Sequence, residues 1–391
     1  MGISNKTLQA LAAHHTTDEA VANRLAGCGR RAVAATVTTT VGSNGNTGTR
    51  GVMSCDLRHL CAYCGTKEME DQAVLLEASI SAWQALGLTV LLVTFTVPHS
   101  LRDRLASTVQ WLAAGEKAVL QGSARARIER LYGVGPYFRR REFDRLPENG
   151  WHPHSHVLLF VERTLTDAEV AALREDMSAR FLRAVRRAGA PESLGDQVHA
   201  VDARAVDAGD AHVVARYITK TTAWNGEPKG SFALLAALAE HRTADGSPCD
   251  CARCLANTEA WSEFVAWTQE TKRQRFAAPV GLEERLAALG SDAPARQVYR
   301  TQDTARLRKT GWEFLEALGV HTQASPVAAD GGWRVLRSWV CALLTDHGLS
   351  ETDAARQAAH WVLPPTSTEW RTTARRRGHR YTPRLGSRRC P

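Results

Sequence analysis

Residues 150–160 read Gly-Trp-His-Pro-His-Ser-His-Val-Leu-Leu-Phe. Side chains two apart on a strand share a face, so His152, His154 and His156 point the same way if this segment is extended. Imidazoles at that spacing converge within reach of one divalent metal ion. Without partners, beside a run as apolar as Val157–Val161, they would carry a desolvation cost that a bound cation removes. Two imidazoles do not fill a coordination sphere. The preceding strand offers Glu142 as the first choice of third ligand and Asp144 as the second, and His152 is the alternative.

Two further groups of residues carry chemistry. In His212–Lys220, which is helical in character, Tyr217 and Lys220 lie three apart on one face. A cation beside a phenol favours the phenolate, the attacking form, although an ordinary half-buried tyrosine satisfies the same spacing. The nine cysteines are the other group. The N-terminal MGISNKTLQA lacks a basic-then-apolar secretion pattern, which sets the expectation of a reducing, cytoplasmic setting. Cys61-x2-Cys64 has zinc-knuckle spacing, and Cys28 and Cys55 complete four thiolates for a structural Zn²⁺. Cys249, Cys251 and Cys254, preceded by His241, form a second candidate, with a loop of incidental thiols as its plain alternative. Cys341 and Cys390 stand alone.

These residues must be positioned by elements the pattern already suggests. A helix over 8–26, a strand over 32–41 and a Gly/Asn/Thr-rich hairpin tip come first. A helix over 70–86 and a buried strand over 89–97 follow. A long helical region over 100–131 leads to a hairpin of strands 137–143 and 151–161 around the turn Pro147–Gly150. Thr166 and Glu169 make a capping box, and Val170, Leu173, Met177, Phe181 and Val185 recur on one helical face. A strand over 197–201 and a helix over 211–223 complete this part. From about Glu283 the pattern is helical, with Trp312, Trp333, Trp339 and Trp361 as core anchors. Hairpins without regular βαβ alternation indicate an α+β fold, with a central antiparallel sheet and flanking helices. The expected division is a zinc-binding segment (1–80), a central domain (81–285) and a helical region with a basic tail (286–391).

The net charge of +8 equals the eight arginines from Arg371 onward, a stretch without acids. Arg139, Arg140 and Arg141 form a second basic cluster. Clustered arginines favour phosphate, so these three and Arg375, Arg376 and Arg377 are candidate DNA contacts; a solvated tail and helix face is the plain alternative. No apolar run is long enough for a membrane span.

Together these motifs resemble the rolling-circle replication initiators of bacterial plasmids, which are HUH endonucleases, and among them the actinobacterial type. Leu92-Val93-Thr94-Phe95-Thr96 with His99 is similar to the first motif strand. Trp151-His152-Pro153-His154-Ser155-His156 resembles the metal-binding motif, and Ala215-Arg216-Tyr217-Ile218-Thr219-Lys220 the nucleophile helix. Cys55-x5-Cys61-x2-Cys64 resembles the cysteine cluster of the same proteins. The likeness covers roughly residues 25–285. It implies a ferredoxin-like HUH nuclease sheet and a catalytic Mg²⁺ or Mn²⁺ on His154 and His156. It also implies attack by Tyr217 on a single-stranded origin, steadied by Lys220, with Thr94 and Thr96 supporting. The implied partners are origin DNA with its flanking duplex and a host helicase and polymerase.

Two departures stand out. Ser155 replaces an apolar residue, facing away from the metal. Val213 occupies a position where some relatives carry a glutamate used in termination, and Asp210, two turns before Tyr217, is the candidate substitute. A transposase or conjugative relaxase with the same chemistry, and a non-catalytic zinc-stabilised DNA-binding protein, are the competing functions.

Overall fold

The computed structural model describes residues 5–42, 47–146, 148–191, 200–220, 223–224, 227–228, 230–241, 249–271, 276–277, 281–290, 300–367 and 371–372. In chain order it begins with α1 (Asn5–His14), α2 (Glu19–Gly27), β1 (Thr36–Gly42), β2 (Thr47–Arg50), α3 (Ala62–Ala85) and β3 (Val90–Thr96). Next come α4 (Leu105–Leu120), α5 (Gly122–Tyr132), β4 (Val134–Leu146), β5 (Gly150–Val161), α6 (Asp167–Arg187), β6 (Val201–Ala205) and α7 (Ala211–Thr219). The short β7 (Ala223–Trp224) and β8 (Glu227–Pro228) precede α8 (Phe232–Glu240), α9 (Ala252–Thr271), β9 (Phe276–Ala277) and α10 (Leu282–Ala288). The chain closes with β10 (Arg300–Arg308), α11 (Lys309–Ala317), α12 (Ala324–Asp346), α13 (Glu351–Trp361), β11 (Val362–Leu363) and β12 (Arg371–Thr372). The α+β class holds: antiparallel sheets are flanked by helices, and the C-terminal region is largely helical.

The chain divides into two compact units, residues 1–29 with 54–297 and residues 30–53 with 298–391. The first unit is built on a sheet of order β6-β3-β5-β4-β9. The β4–β5 hairpin closes through Gly150, whose φ of 75° is a left-handed conformation and whose Cβ would lie 2.7 Å from the Ser100 carbonyl. Strand alternation then builds two cores. Leu91, Val93, Phe95, Val157, Leu159 and Val161 pack against α4 and α6 on one face. Val90, Leu92, Phe138, Leu158 and Phe160 pack against α3 and α7 on the other. On α6, Val170, Leu173, Met177, Phe181 and Val185 are buried as expected, and both hydrogen bonds of the Thr166–Glu169 capping box are present. Gly115 of α4 lets that helix approach closely, because a Cβ there would meet the Phe181 ring at 2.3 Å.

The second unit pairs the β1–β2 hairpin with β10, in the order β11-β10-β1-β2 with β12 beside β10. Ala305 and Leu307 of β10 and Val37 of β1 face a core that includes the buried Trp312 of α11, with Trp333, Trp339 and Trp361 packed against it. β10 interrupts the helical pattern expected beyond Glu283.

Other boundaries differ for local reasons. The helix expected over 8–26 is two helices, because Asp18 caps α2 through Val21 N at 3.1 Å. The third helix starts at Ala62, eight residues early, with Cys61 Sγ as its cap on Cys64 N. The strand expected at 197–201 runs instead from Val201, its first residues lying outside the described ones, and α7 stops at Thr219. No helix among the described residues is long and apolar enough to cross a membrane.

Candidate active site

The end of the sheet beside α7 turns from apolar to polar within one face. On β5, Leu158 and Phe160 give way to His156, His154 and His152. Opposite them on β4, Arg140 pairs with His156, Glu142 with His154 and Asp144 with His152. On the other side of β5, Thr94 and Thr96 of β3 face His156 and His154.

Glu142, His154 and His156 bring one ligand atom each to within 4.8 Å of one another, and all three are buried. His154 Nε2 lies 3.3 Å from Glu142 Oε2, and His156 Nε2 lies 4.0 Å from Glu142 Oε1. The other ring nitrogens are held by the sheet: His156 Nδ1 is 3.1 Å from Thr94 Oγ1, and His154 Nδ1 is 3.4 Å from the His152 carbonyl. Tying Nδ1 leaves Nε2 of both rings aimed at one carboxylate, the usual way a protein orients metal-binding imidazoles. Glu142 Oε1 and His156 Nε2 are buried without a hydrogen-bond partner. Two orphaned polar atoms facing each other across 4.0 Å suit a divalent cation between them.

The other two choices for third ligand do not join this group. His152 turns to His99, with Nδ1 3.3 Å from His99 Nε2. Asp144 Oδ1 accepts from Gly230 N at 2.8 Å, and its Oδ2 stays 3.9 Å from His154 Nδ1.

Charge within the group is set by opposing forces. Burial works against the Glu142 anion, but the His154 hydrogen bond and the charges of Arg140, His154 and His156 outweigh it and hold the carboxyl well below the usual range. Burial pushes His156 down to about 3; Glu142 opposes this, and His154, Lys220 and Arg140 add to it. Burial, then the neighbouring His154 and His99, bring His152 to about 4. His154 moves the other way: burial opposes its proton, but Glu142 overcomes that and raises it. The Glu142 anion and the neutral His156 are in the protonation state that metal ligands require, whereas Glu142 makes His154 hold its proton more tightly.

Helix α7 lays Tyr217 and Lys220 against this group. The Tyr217 and His156 ring centroids are 5.0 Å apart in an edge-to-face arrangement. Lys220 Nζ sits 3.8 Å from the centre of the Tyr217 ring and 3.2 Å from Glu142 Oε2. Asp210 is the exposed N-cap of α7, two turns from Tyr217, and its side chain makes no capping bond. Ser155 points to the opposite face and is fully buried.

The arginine run is a correction to the sequence reading. Arg141 and Arg139 both pair with the buried Glu116 of α4, Arg139 at 2.8 Å. Arg140 lies on the face that carries Glu142, His154 and His156, 4% exposed, and donates to the Ile218 carbonyl. Alternation on β4 splits the run between two packed faces, so Arg140 and Arg141 are internal and not on a surface open to DNA. Sequence reasoning missed the place of Arg140, which its even spacing from Glu142 and Asp144 could have revealed. Arg375, Arg376 and Arg377 lie outside the described residues.

Both cysteine groups assemble. Cys28–Cys64, Cys55–Cys64 and Cys28–Cys61 sulfur distances are 3.4, 3.7 and 3.7 Å. A tetrahedron of 2.3 Å Zn–S bonds has edges of about 3.8 Å, so the cluster is compatible with structural zinc. Backbone N–H groups of Cys55 and Cys64 point at the Cys28 and Cys61 sulfurs. His241, at the end of α8, places Nδ1 3.2 Å from Cys254 Sγ and 3.4 Å from Cys251 Sγ, and Cys249 completes this second group. Both groups border one hydrophobic core that includes Trp261 and Phe264 of α9.

The chain is similar to "Protein rep" of Streptomyces lividans, with 27% identity over 238 residues, covering 50% of this chain and 51% of that protein. It therefore spans about half the length of this curated relative. No family model matches the sequence, and no solved structure matches it.

Proposed function

We propose that this protein nicks and rejoins single-stranded DNA at a plasmid origin to initiate rolling-circle replication, with Tyr217 as nucleophile. The observation that carries the reading is the convergence of Glu142, His154 and His156 with the Tyr217 ring, 5.0 Å from His156. The similarity to "Protein rep" supports the replication role.

Tyr217 Oη attacks the scissile phosphorus and the bond from phosphorus to the 3′ oxygen breaks. The 5′ side stays joined to the enzyme as a phosphotyrosine diester, the phenol proton passes to solvent, and the departing 3′ oxygen takes a proton from solvent to become a hydroxyl. No electron is gained or lost, and the retained diester can be attacked later by a 3′ hydroxyl to close the strand. Lys220 Nζ, over the tyrosine ring, stabilises negative charge that develops as the phenol proton leaves. Glu142 holds Lys220 in that position and, with His154 and His156, would hold the divalent ion. Bound Mg²⁺ or Mn²⁺ supplies Lewis-acid polarisation of the phosphate. Thr94 fixes the His156 ring. The freed 3′ hydroxyl is the primer that a host polymerase extends, and a host helicase opens the flanking duplex.

The His152–His99 contact favours a two-histidine, one-carboxylate site over the three-histidine arrangement of a relaxase. The test is a denaturing gel with labelled single-stranded origin DNA, Mn²⁺ or chelator, and wild type beside Tyr217→Phe. A Mn²⁺-dependent adduct absent from Tyr217→Phe supports the reading; no adduct, or an equal adduct in both proteins, overturns it.

A further inference from the structure

We infer that Arg140 is a positioning residue that locks the end of the tyrosine helix onto the strand carrying the metal ligands. The inference rests on the proposed role of Tyr217. Arg140 stands opposite His156 in the β4–β5 register and two residues before Glu142, on the same face. Its side chain crosses that face under α7, 4% exposed, and its Nη1 donates to the Ile218 carbonyl.

That carbonyl is in the last turn of α7, which ends at Thr219. The last four carbonyls of a helix have no intrahelical donor, and the helix dipole makes them the negative end. A cation donating there both satisfies the acceptor and complements the dipole. Ile218 lies between Tyr217 and Lys220, so fixing its carbonyl fixes the backbone from which both side chains project.

A guanidinium buried without water is costly, and the apolar layer of Phe138, Leu158 and Phe160 would accept an apolar side chain at this position. The bond to α7 gives the charge a purpose that packing alone does not. Lys220 reaches Glu142 from the helix side, and Arg140 reaches the helix from the strand side. The two cations thus cross-brace β4 and α7 around Tyr217.

The test compares full-length wild type, Arg140→Met, Arg140→Lys and Tyr217→Phe. Three quantities are measured: the single-turnover rate of adduct formation, Mn²⁺ affinity, and affinity for the uncleaved oligonucleotide. Arg140→Met is expected to slow adduct formation on the order of 10- to 100-fold, since small misplacements of a reacting group carry such penalties. Mn²⁺ and oligonucleotide affinities should stay within about threefold of wild type, and Arg140→Lys should recover part of the rate. An Arg140→Met protein that reacts at the wild-type rate, or that loses Mn²⁺ affinity in proportion to rate, overturns the inference. If Arg140→Met does not fold, Arg140→Lys decides: a rate below wild type with intact Mn²⁺ affinity supports it, and a wild-type rate overturns it. Absence of a Tyr217-dependent adduct in wild type overturns the functional reading and this inference with it, whereas a normal Arg140→Met overturns only the inference.

Discussion

The Tyr217 ring meets the His156 imidazole edge-to-face with centroids 5.0 Å apart, which places the phenol and the Glu142–His154–His156 group in one chemical neighbourhood. The two residues come from different elements, α7 and β5, and are separated by 61 positions. Their meeting depends on α7 packing Val214, Ala215 and Ile218 against the same apolar layer that Leu158 and Phe160 present.

If Glu142 is the third ligand, Glu142→Gln keeps the shape and removes the anion. Mn²⁺ affinity measured by calorimetry should fall at least ~10-fold. His152→Gln, altering a side chain that faces His99, should change it by less than about threefold. Equal losses in the two variants would shift the third bond to His152.

Metal binding should depend on pH through His154. Glu142 raises this imidazole above its ordinary value of 6.5, so it holds its proton to higher pH than a free imidazole, and the metal must displace that proton. His156, near 3, is already neutral at such pH. Affinity for Mn²⁺ should therefore keep rising with pH above the ordinary imidazole value, and binding should release a proton below the raised His154 value. Calorimetry in two buffers of different ionisation enthalpy measures this release, and identical heats in both would contradict it.

The two cysteine groups should each hold zinc. Purified protein should contain about two zinc ions per chain by elemental analysis. Cys61→Ser should lower this to about one and reduce the thermal midpoint, because the cluster borders the core of α1, α2 and α8. A wild-type chain purified without oxygen and free of zinc would contradict the assignment.

Arg141 should matter for stability and not for DNA contact. Arg141→Gln leaves Glu116, 1% exposed, paired with Arg139 alone, so the loss should fall below the roughly 3–5 kcal/mol of a buried pair broken outright. Denaturant unfolding should register that loss. The slope of DNA affinity against salt should stay unchanged, whereas a phosphate contact would reduce it by about 1.

Local patterns carried much of the candidate site's geometry. Period-two alternation put His154 and His156 on one face, and the hairpin rule brought Glu142 opposite His154, as the register has it. The limit was partner choice. Glu142, Asp144 and His152 are equivalent by spacing, and only Gly230 N and His99, from distant segments, draw the latter two away. The arginine run reads as a phosphate surface until α4 folds back and presents Glu116. Likewise Thr36–Gly42 shows a hairpin strand but not its pairing with Arg300–Arg308, more than 250 residues on. Nothing local to either strand encodes that match.

The most direct measurement is the site of DNA attachment. Trypsin cuts after Arg216 and Lys220, so attachment at the proposed nucleophile isolates the tetrapeptide Tyr217–Lys220. After reaction with single-stranded origin DNA and Mn²⁺, followed by nuclease digestion, mass spectrometry should find this peptide heavier by the residual 5′-phosphorylated nucleotide. Nucleotide on a peptide containing Tyr132 or Tyr137, or cleaved DNA with no peptide attached, would contradict Tyr217 as the nucleophile.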